Sequence, residues 1–390
     1  MNAPPPIYLD HNATTPPSPG VVREMLRVLE QDWGNPSSMH AQGQAARRVL
    51  IESRAAVAET LGCSPAELVF TSGATEANHQ AVLGALQARS AQGRGQWVLS
   101  AIEHPGLQAL ADRLRSQGVA VSRVAVDSQG QADLEHARSL IGPETAVVSL
   151  MGANNETGVI QPVAQMAALC RAAGAWLHVD ATQWLGKDAV DFKSLDVDLM
   201  SVAAHKLHGP KGVGALRVRK GLDLPALMPG RQERRRRGGT ENLPGIAGFG
   251  VACLELRASL AEDLARMTLL RQRLEQGLLQ ALPKARLLGA GAPRLVNTSC
   301  LMFDELDAEP VLSRLERAGV LASSGAACGA GGTDPSHVLL AMGMAPRLAR
   351  CGIRFSLGRN TTDPQLDQAL GAIVRSVQHL LDDQPVLENT

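Results

Sequence analysis

Between residues 68 and 220 the chain alternates short apolar runs with amphipathic helical patterns. The seven apolar runs are ELVFTS, QWVLSA, VAVSRVAV, TAVVSLM, AWLHVDA, DLMSV and VGALRV. Helical patterns such as TEANHQAVLGALQAR and PGLQALADRLRSQG separate them. Strands that alternate with helices in this way form a mainly parallel sheet with helices on its faces. We therefore predict an α/β fold with a seven-stranded sheet, in which ligands gather at the carboxyl ends of the strands.

A long helical pattern begins at about residue 243 and leads out of the predicted sheet. Beyond it, RLVNTSCLMFDE and GIRFSLG are typical of strands, whereas EPVLSRLERAG and DPQLDQALGAIVRSVQHLL are typical of helices. We therefore divide the chain into two domains. Residues 15–260 form a large α/β domain, and residues 1–14 and 261–390 together form a smaller α+β domain.

The charge and hydropathy of the chain argue against several classes of protein. Lysine plus arginine and aspartate plus glutamate both number 38, so no net charge attracts nucleic acid or an anionic membrane. The first residues lack a signal-peptide pattern, and no apolar run approaches the ~20 residues of a membrane helix. We expect a cytoplasmic protein with no membrane partner. The arginine run at 231–237 is interpreted as a solvated loop rather than a nucleic-acid site.

The six cysteines show neither a C-x-x-C motif nor metal-ligand spacing, so we expect no disulfide framework and no structural zinc. Cys170 and Cys253 lie in apolar helical patterns that are typical of buried, inert thiols. Cys328 differs, because the surrounding SSGAACGAGG consists of small residues and predicts a loop with little backbone restraint. We interpret Cys328 as a nucleophile that such a loop carries.

Polar residues that could bind a cofactor lie at or near the ends of several predicted strands. The helix start at Thr75 offers backbone N–H groups to a phosphate, and His104 could stack on an aromatic ring. Asp180 needs a cationic partner, Lys206 could form a Schiff base, and Arg354 suits a carboxylate. Taken singly, each residue type is more often a cap, a structural ion pair or a surface group. Together they form the set of groups needed to hold pyridoxal 5′-phosphate.

Eleven short motifs occur in one order along the chain: YLDHNATTP, GNPSSMH, FTSGATEAN, EHP, ANNETG, HVDATQ, HKLHGPKGVG, GGTEN, SSGAAC, PSHVL and IRFSLGR. In these motifs the chain resembles the cysteine desulfurases of the nitrogen-fixation and iron–sulfur-assembly type, within the class-V aminotransferase group. The resemblance covers essentially the whole chain. It implies a pyridoxal-phosphate-dependent transferase of fold type I, the aspartate aminotransferase-like fold, with a large α/β domain and a smaller α+β domain.

The resemblance implies a role for each candidate residue. Lys206 would bond covalently to the cofactor aldehyde, Asp180 would pair with the pyridine nitrogen, and His104 would stack on the ring. The remaining binding residues would be Gln183 and Asn155 at the ring hydroxyl, Ala74, Thr75 and His205 at the phosphate, and Arg354 with Asn155 at the substrate.

The resemblance also implies a reaction and its partners. Cys328 would take the sulfur of L-cysteine as a persulfide, leaving L-alanine. The sulfur would then pass to an acceptor protein such as an iron–sulfur scaffold, or toward another sulfur-containing cofactor or tRNA. Thr240 of GGTEN would reach the phosphate in the other subunit, which implies a homodimer. No resident metal is implied, and only a transient iron–sulfur contact at Cys328 stays open.

Three features depart from the pattern of the family. Ala203 and Ala204 precede His-Lys, where relatives often have Ser-Gly, and the lost hydroxyl is expected to weaken cofactor retention. The loop SGAACGAGG has fewer hydroxyls and more glycine than the family pattern. The sequence ends at LLDDQPVLENT without the extended tail of housekeeping assembly enzymes, which favours a nitrogen-fixation-like or specialised role.

Two other interpretations stay open at the level of the sequence. The same scaffold could serve a selenocysteine lyase, or a cysteine or cystine lyase that releases pyruvate, and the product distinguishes these from a desulfurase. A non-catalytic protein that kept the fold would not bind the cofactor and would be colourless. The sequence does not identify the sulfur acceptor.

Overall fold

A computed structural model describes residues 5–325 and 334–383 of the chain. Its strands are β1 (Ile7–Tyr8), β2 (Leu68–Thr71), β3 (Gln96–Ser100), β4 (Val121–Val124), β5 (Thr145–Met151), β6 (Trp176–Asp180), β7 (Leu199–Ala203), β8 (Gly214–Val218), β9 (Ala285–Leu287), β10 (Thr298–Phe303), β11 (Val320–Leu321), β12 (Ser323–Ser324) and β13 (Ile353–Ser356). Its helices are α1 (Pro19–Gln31), α2 (Ala41–Thr60), α3 (Ala74–Arg89), α4 (Pro105–Ser116), α5 (Leu134–Leu140), α6 (Val163–Ala173), α7 (Leu243–Ala281), α8 (Ala308–Arg317), α9 (His337–Ala341) and α10 (Asp363–Asp382).

The central sheet has seven strands in the order β2-β8-β7-β6-β5-β3-β4. The five strands β3 to β7 are parallel to one another. Strand β8 is antiparallel to both of its neighbours, β2 and β7. Every residue of β5 is buried, as expected for a strand covered on both faces. The prediction of a mainly parallel, seven-stranded α/β fold is confirmed.

Alternate residues of each central strand pack on opposite faces of the sheet. In β3, Trp97 and Leu99 pack on the face that α3 and α4 cover, where Ala81 is also buried. Val98 packs on the opposite face, with Met166 of α6. Because helices pack on both faces of the sheet, the strands are held in place. The loops that follow their carboxyl ends therefore start from fixed positions.

A second hydrophobic cluster lies against a four-stranded antiparallel sheet of order β12-β13-β10-β9. It contains Leu9 from the start of the chain, Leu274 from the second half of α7, and Phe355 of β13. Phe249, in the first half of α7, instead joins the core of the central sheet. The division of the chain near residue 260 stays a proposal, and these separate clusters support it.

Among the described residues, one helix, α7, is long and apolar enough to cross a membrane. Its most apolar window is 56% buried inside the protein, because α1 and α2 pack along it. A helix that is covered in this way is typical of a protein core. Its length and composition are therefore weak evidence for a membrane span.

Candidate active site

A cavity of about 720 Å³ opens at the carboxyl ends of the central parallel strands. The segment after β1, which pairs with β11 in a separate two-stranded sheet, also lines it, as do β12 and β13 of the four-stranded sheet. Nine of the candidate residues line this one cavity: Ala74, Thr75, His104, Asn155, Asp180, Gln183, His205, Lys206 and Arg354. Thr240 lines a separate, smaller cavity, and Cys328 lies outside the described residues. The fold thus brings together groups that are as far apart in sequence as Ala74 and Arg354.

The start of α3 is suited to an anion. Gly73 occupies the N-cap position and no side chain caps the helix, so the first N–H groups are left to a ligand. A Cβ atom added at Gly73 would meet nothing within 4 Å, which shows open space in front of the helix. Beside it, burial lowers the pKa of His205 to about 4, and its Nδ1 lies 3.1 Å from the Thr14 hydroxyl. A phosphate fits this end of the cavity.

Asp180 is a buried carboxylate at the end of β6. Its Oδ2 accepts a hydrogen bond from Asn78 Nδ2 at 2.7 Å, and its Oδ1 accepts one from the backbone N–H of Thr182 at 3.0 Å. Both donors are neutral, and no ion pair between described residues involves Asp180. A buried carboxylate with only neutral donors retains the capacity to pair with a cation. A protonated pyridine nitrogen meets this need.

Exchange of Asp180 for asparagine is expected to reduce turnover about 10²- to 10³-fold, because it removes one charge of a buried ion pair worth roughly 3–5 kcal/mol. The side chain keeps its size, so the fold should not change. The measurement is turnover of L-cysteine at saturating cofactor. Asp191→Asn, at an exposed aspartate, serves as the control. Turnover of Asp180→Asn within threefold of wild type would exclude a charge-pairing role.

His104 caps α4, since its Nδ1 accepts a hydrogen bond from the backbone N–H of Gly106 at 3.1 Å. Burial is the main reason that the pKa of His104 is lowered, and the nearby Lys206 adds to this, although Asp180 opposes it. The imidazole is therefore neutral at pH 7 and carries its proton on Nε2. A neutral ring with a fixed tautomer is suited to stacking on a flat heterocycle.

Lys206 ends a short helical turn after β7, Ala204–Lys206. Its Nζ donates to the backbone carbonyl groups of Asn12 and of Ala13, the latter at 2.8 Å. Gln183 Nε2 donates to the same Asn12 carbonyl at 2.8 Å. The segment around Asn12 thus holds the candidate lysine, a role that the sequence analysis did not assign to it.

Arg354 is buried on β13 and also lines the cavity. It forms an ion pair with Asp10 at 2.6 Å and donates to the backbone carbonyl of Asn155 at 3.0 Å. Its Nε is buried without a hydrogen-bond partner. The guanidinium group is thus fixed by two contacts and keeps further N–H donors for a carboxylate. Asp10 is a further site residue that the sequence analysis did not single out.

The arginine run at 231–237 is not uniformly solvated, which corrects the sequence-based interpretation. Glu233 is buried and pairs with Arg54, while Arg236 donates to two backbone carbonyl groups beside β2. Arg237 forms an ion pair with Glu76, in the first turn of α3, at 3.0 Å. Only part of the run is therefore a solvated surface.

Ala203 is buried at the end of β7, directly before the turn that carries Lys206. Ala203→Ser is expected to slow the loss of cofactor on dialysis about tenfold, because a hydrogen bond to a charged group is worth about 1.5–3 kcal/mol. Binding of pyridoxal, which lacks the phosphate, should not change. An unaltered rate of loss would show that a hydroxyl at this position does not reach the phosphate.

The comparisons with known proteins agree with this geometry. Residues 7–369 match the family of class-V aminotransferases. The chain is 46% identical to a cysteine desulfurase of Cereibacter sphaeroides, over 96% of each chain. It is 39% identical to the cysteine desulfurase NifS of Azotobacter vinelandii, over 97% of this chain and 94% of the relative.

Among solved structures, a protein described as NifS-like superimposes with a TM-score of 0.88 at 34% identity. The superposition covers 96% of this chain and 100% of that one. The family match includes every residue that lines the cavity, from Asp10 to Arg354. The chain belongs to the class-V aminotransferases and, within that family, to the cysteine desulfurases.

Proposed function

We propose that the protein converts L-cysteine to L-alanine and transfers the sulfur to Cys328 as a persulfide. The thiol of Cys328 takes the sulfur atom of the substrate, so that L-cysteine plus a thiol becomes L-alanine plus a persulfide. The outer sulfur of the persulfide then passes to a thiol of an acceptor protein, which restores the Cys328 thiol and serves iron–sulfur cluster assembly or the synthesis of another sulfur-containing cofactor or tRNA. The observation that carries the choice of Cys328 as the acceptor thiol is the full or partial burial of the five other cysteines.

Burial disfavours the thiolate of every described cysteine. It raises the pKa of Cys63, Cys170, Cys253 and Cys300 to about 12 in each case. Burial is also the main reason that the pKa of Cys351 is raised. The thiolate is the reactive form of cysteine, so these five are poor nucleophiles at pH 7. The sixth cysteine, Cys328, is left for the reaction.

Cys328 follows closely on residues that line the cavity. Ser323, Ser324 and Gly325 all lie at its wall. Cys328 is three residues beyond Gly325 in the sequence and lies outside the described residues.

The enzyme depends on pyridoxal 5′-phosphate, and the cavity fits this group at three points. The uncapped start of α3 suits its phosphate, Asp180 suits its ring nitrogen, and neutral His104 suits its ring face. When bound, the cofactor serves as an electron sink for the substrate. Ala74, Thr75 and His205 would hold the phosphate, and Asn155 and Gln183 would lie at the ring hydroxyl.

The remaining roles follow from what each side chain can donate or accept. Lys206 would bond to the cofactor and then carry protons as a general base, since an amine held by carbonyl groups keeps its position. Arg354, fixed by Asp10 and by the Asn155 carbonyl, would bind the substrate carboxylate together with Asn155. His104 would hold a proton at Nε2 beside the reacting atoms.

A homodimer is proposed from two surface features. Leu26, Leu29, Trp33 and Met39, on α1 and the segment after it, are 52%, 56%, 70% and 92% exposed, which is unusual for large apolar side chains. Thr240 is exposed and lies outside the cavity of its own chain. A second copy would cover the apolar side chains and would receive Thr240 at its phosphate site. We also propose a cytoplasmic location.

The function is tested by the products that the protein forms from L-cysteine in the presence of a thiol reductant. A desulfurase releases alanine and sulfide in equal amounts, whereas a cysteine lyase releases pyruvate, ammonia and sulfide. We expect alanine to account for nearly all of the organic product. Pyruvate as the main product would overturn the proposal in favour of a lyase, an alternative that the relatives do not favour.

A further inference from the structure

Lys187 is a buried lysine that no step of the proposed reaction uses. Its residue is 5% exposed, and none of the ion pairs between described residues involves it. Its Nζ donates to Asn12 Oδ1 at 2.9 Å and to Gln183 Oε1. Burial lowers the pKa of Lys187 well below its ordinary value, and the charges of Lys206 and Arg354 act in the same direction. A buried lysine without a carboxylate partner needs an explanation.

The side-chain amides of Gln183 and Asn12 both contact Lys187, and hydrogen bonds to their nitrogen and oxygen atoms determine how each amide is oriented. Gln183 Nε2 donates to the backbone carbonyl of Asn12 at 2.8 Å, and Asn12 Nδ2 donates to that of Asn155 at 3.2 Å. Backbone carbonyl groups only accept, so the amide nitrogens must face them. The amide oxygens must then face Lys187, whose amine donates hydrogen bonds in either protonation state.

We infer that Lys187 is a positioning residue for the cofactor, because it holds the side-chain oxygen of Gln183. The Asn12 oxygen, by contrast, also accepts a hydrogen bond from Asn297. With its oxygen held by Lys187, Gln183 presents only its NH2 group to the cavity. One N–H of that group is used by the Asn12 carbonyl, and the other is left for an acceptor such as the ring oxygen of the cofactor. The Asn12 backbone carbonyl also accepts a hydrogen bond from Lys206, so Gln183 and the lysine that would bond to the cofactor share one acceptor.

The expected consequence is electronic as well as structural. A donor that faces the ring oxygen draws negative charge away from the nitrogen that joins the cofactor to Lys206, and so lowers the pKa of that nitrogen. Without Lys187, the Gln183 amide keeps its donation to the Asn12 carbonyl but loses the contact that holds its oxygen, so its orientation is less strictly set. The inference rests on the proposed cofactor site, but it does not depend on the desulfurase reaction.

The test is a pH titration of the visible absorption of the cofactor-loaded protein. Lys187→Met, which removes the donor but keeps an unbranched side chain, is expected to raise the apparent pKa of the absorption by about one pH unit. We also expect the dissociation constant of the cofactor to rise about tenfold. Lys193→Met, at an exposed lysine on the same segment, should change neither quantity.

A double-mutant cycle separates this role from a general effect on the fold. If Lys187 acts through Gln183, Lys187→Met should shift the absorption pKa in the wild-type background and not in a Gln183→Leu background. A shift of equal size in both backgrounds, or no shift in a folded Lys187→Met protein that carries the cofactor, would overturn the inference. If Lys187→Met does not fold, Lys187→Gln is titrated in the same two backgrounds. If the absorption pKa shifts only in the wild-type background but the protein forms no alanine, the desulfurase function is refuted and the role of Lys187 is not.

Discussion

Replacing Cys328 by alanine is expected to reduce alanine formation from L-cysteine at least 10³-fold, which corresponds to about 4 kcal/mol of lost transition-state stabilisation. The reason is chemical, since the acceptor of the substrate sulfur is removed and the other thiols are buried with raised pKa values. The substrate and cofactor sites stay intact. The variant should therefore keep its visible absorption, and that absorption should still change when L-cysteine is added.

Cys63→Ala is the matched control, because Cys63 is the one described cysteine that is not fully buried. It should form alanine at a rate within about twofold of wild type. Mass spectrometry of protein quenched during turnover, without reductant, should find one extra sulfur atom on wild type and on Cys63→Ala. Alanine formation by Cys328→Ala above about a tenth of the wild-type rate would exclude Cys328 as the nucleophile.

The central sheet and most of its site could be predicted because both depend on local patterns. A fully buried strand such as Thr145–Met151 is a continuous apolar run, and the polar residue that follows such a run is visible in the sequence. Asp180 ends a strand of the parallel group, and His104 and Lys206 each follow one shortly after its end. Their convergence at one edge then follows from the topology of the sheet.

The contribution of the first residues of the chain could not be predicted from a local pattern. Asp10 and Asn12 reach their partners across 344 and 194 residues of sequence, at Arg354 and Lys206 respectively. Short polar segments with such distant partners carry no periodicity that would reveal them. The same holds for Lys187, which sequence composition alone would place at the surface.

Helices α1 and α2 were also absent from the sequence analysis, for a different physical reason. Helix α2 contains AQGQAARR in its first turns, where glutamine and arginine interrupt the apolar spacing. It is held by packing along α7, for which small residues such as Ala46 and Gly250 allow close approach. Tertiary contacts of this kind outweigh a weak local preference.

Replacing Lys206 by alanine is expected to abolish the covalent attachment of the cofactor and to reduce alanine formation about 10⁴-fold. Loss of general acid–base transfer by the amine alone accounts for roughly 10²- to 10⁴-fold. The measurement is the mass of the protein after reduction with borohydride, which makes the bond between lysine and cofactor permanent. Wild type should gain the mass of one cofactor per chain, and Lys206→Ala should gain none. Lys220→Ala, at an exposed lysine remote from the cavity, is the control for turnover.

Two other lysines lie in or next to the cavity and could in principle bond to the cofactor in place of Lys206. Lys211 also lines the cavity, but it is exposed at the rim. Lys187 is buried behind Gln183 and does not line the cavity among the described residues. Lys206 alone combines access to the cavity with an amine held by two carbonyl groups. A reduced adduct at full yield in Lys206→Ala would therefore identify Lys211 as the attachment point and would overturn the proposed site, since no other described lysine lines the cavity.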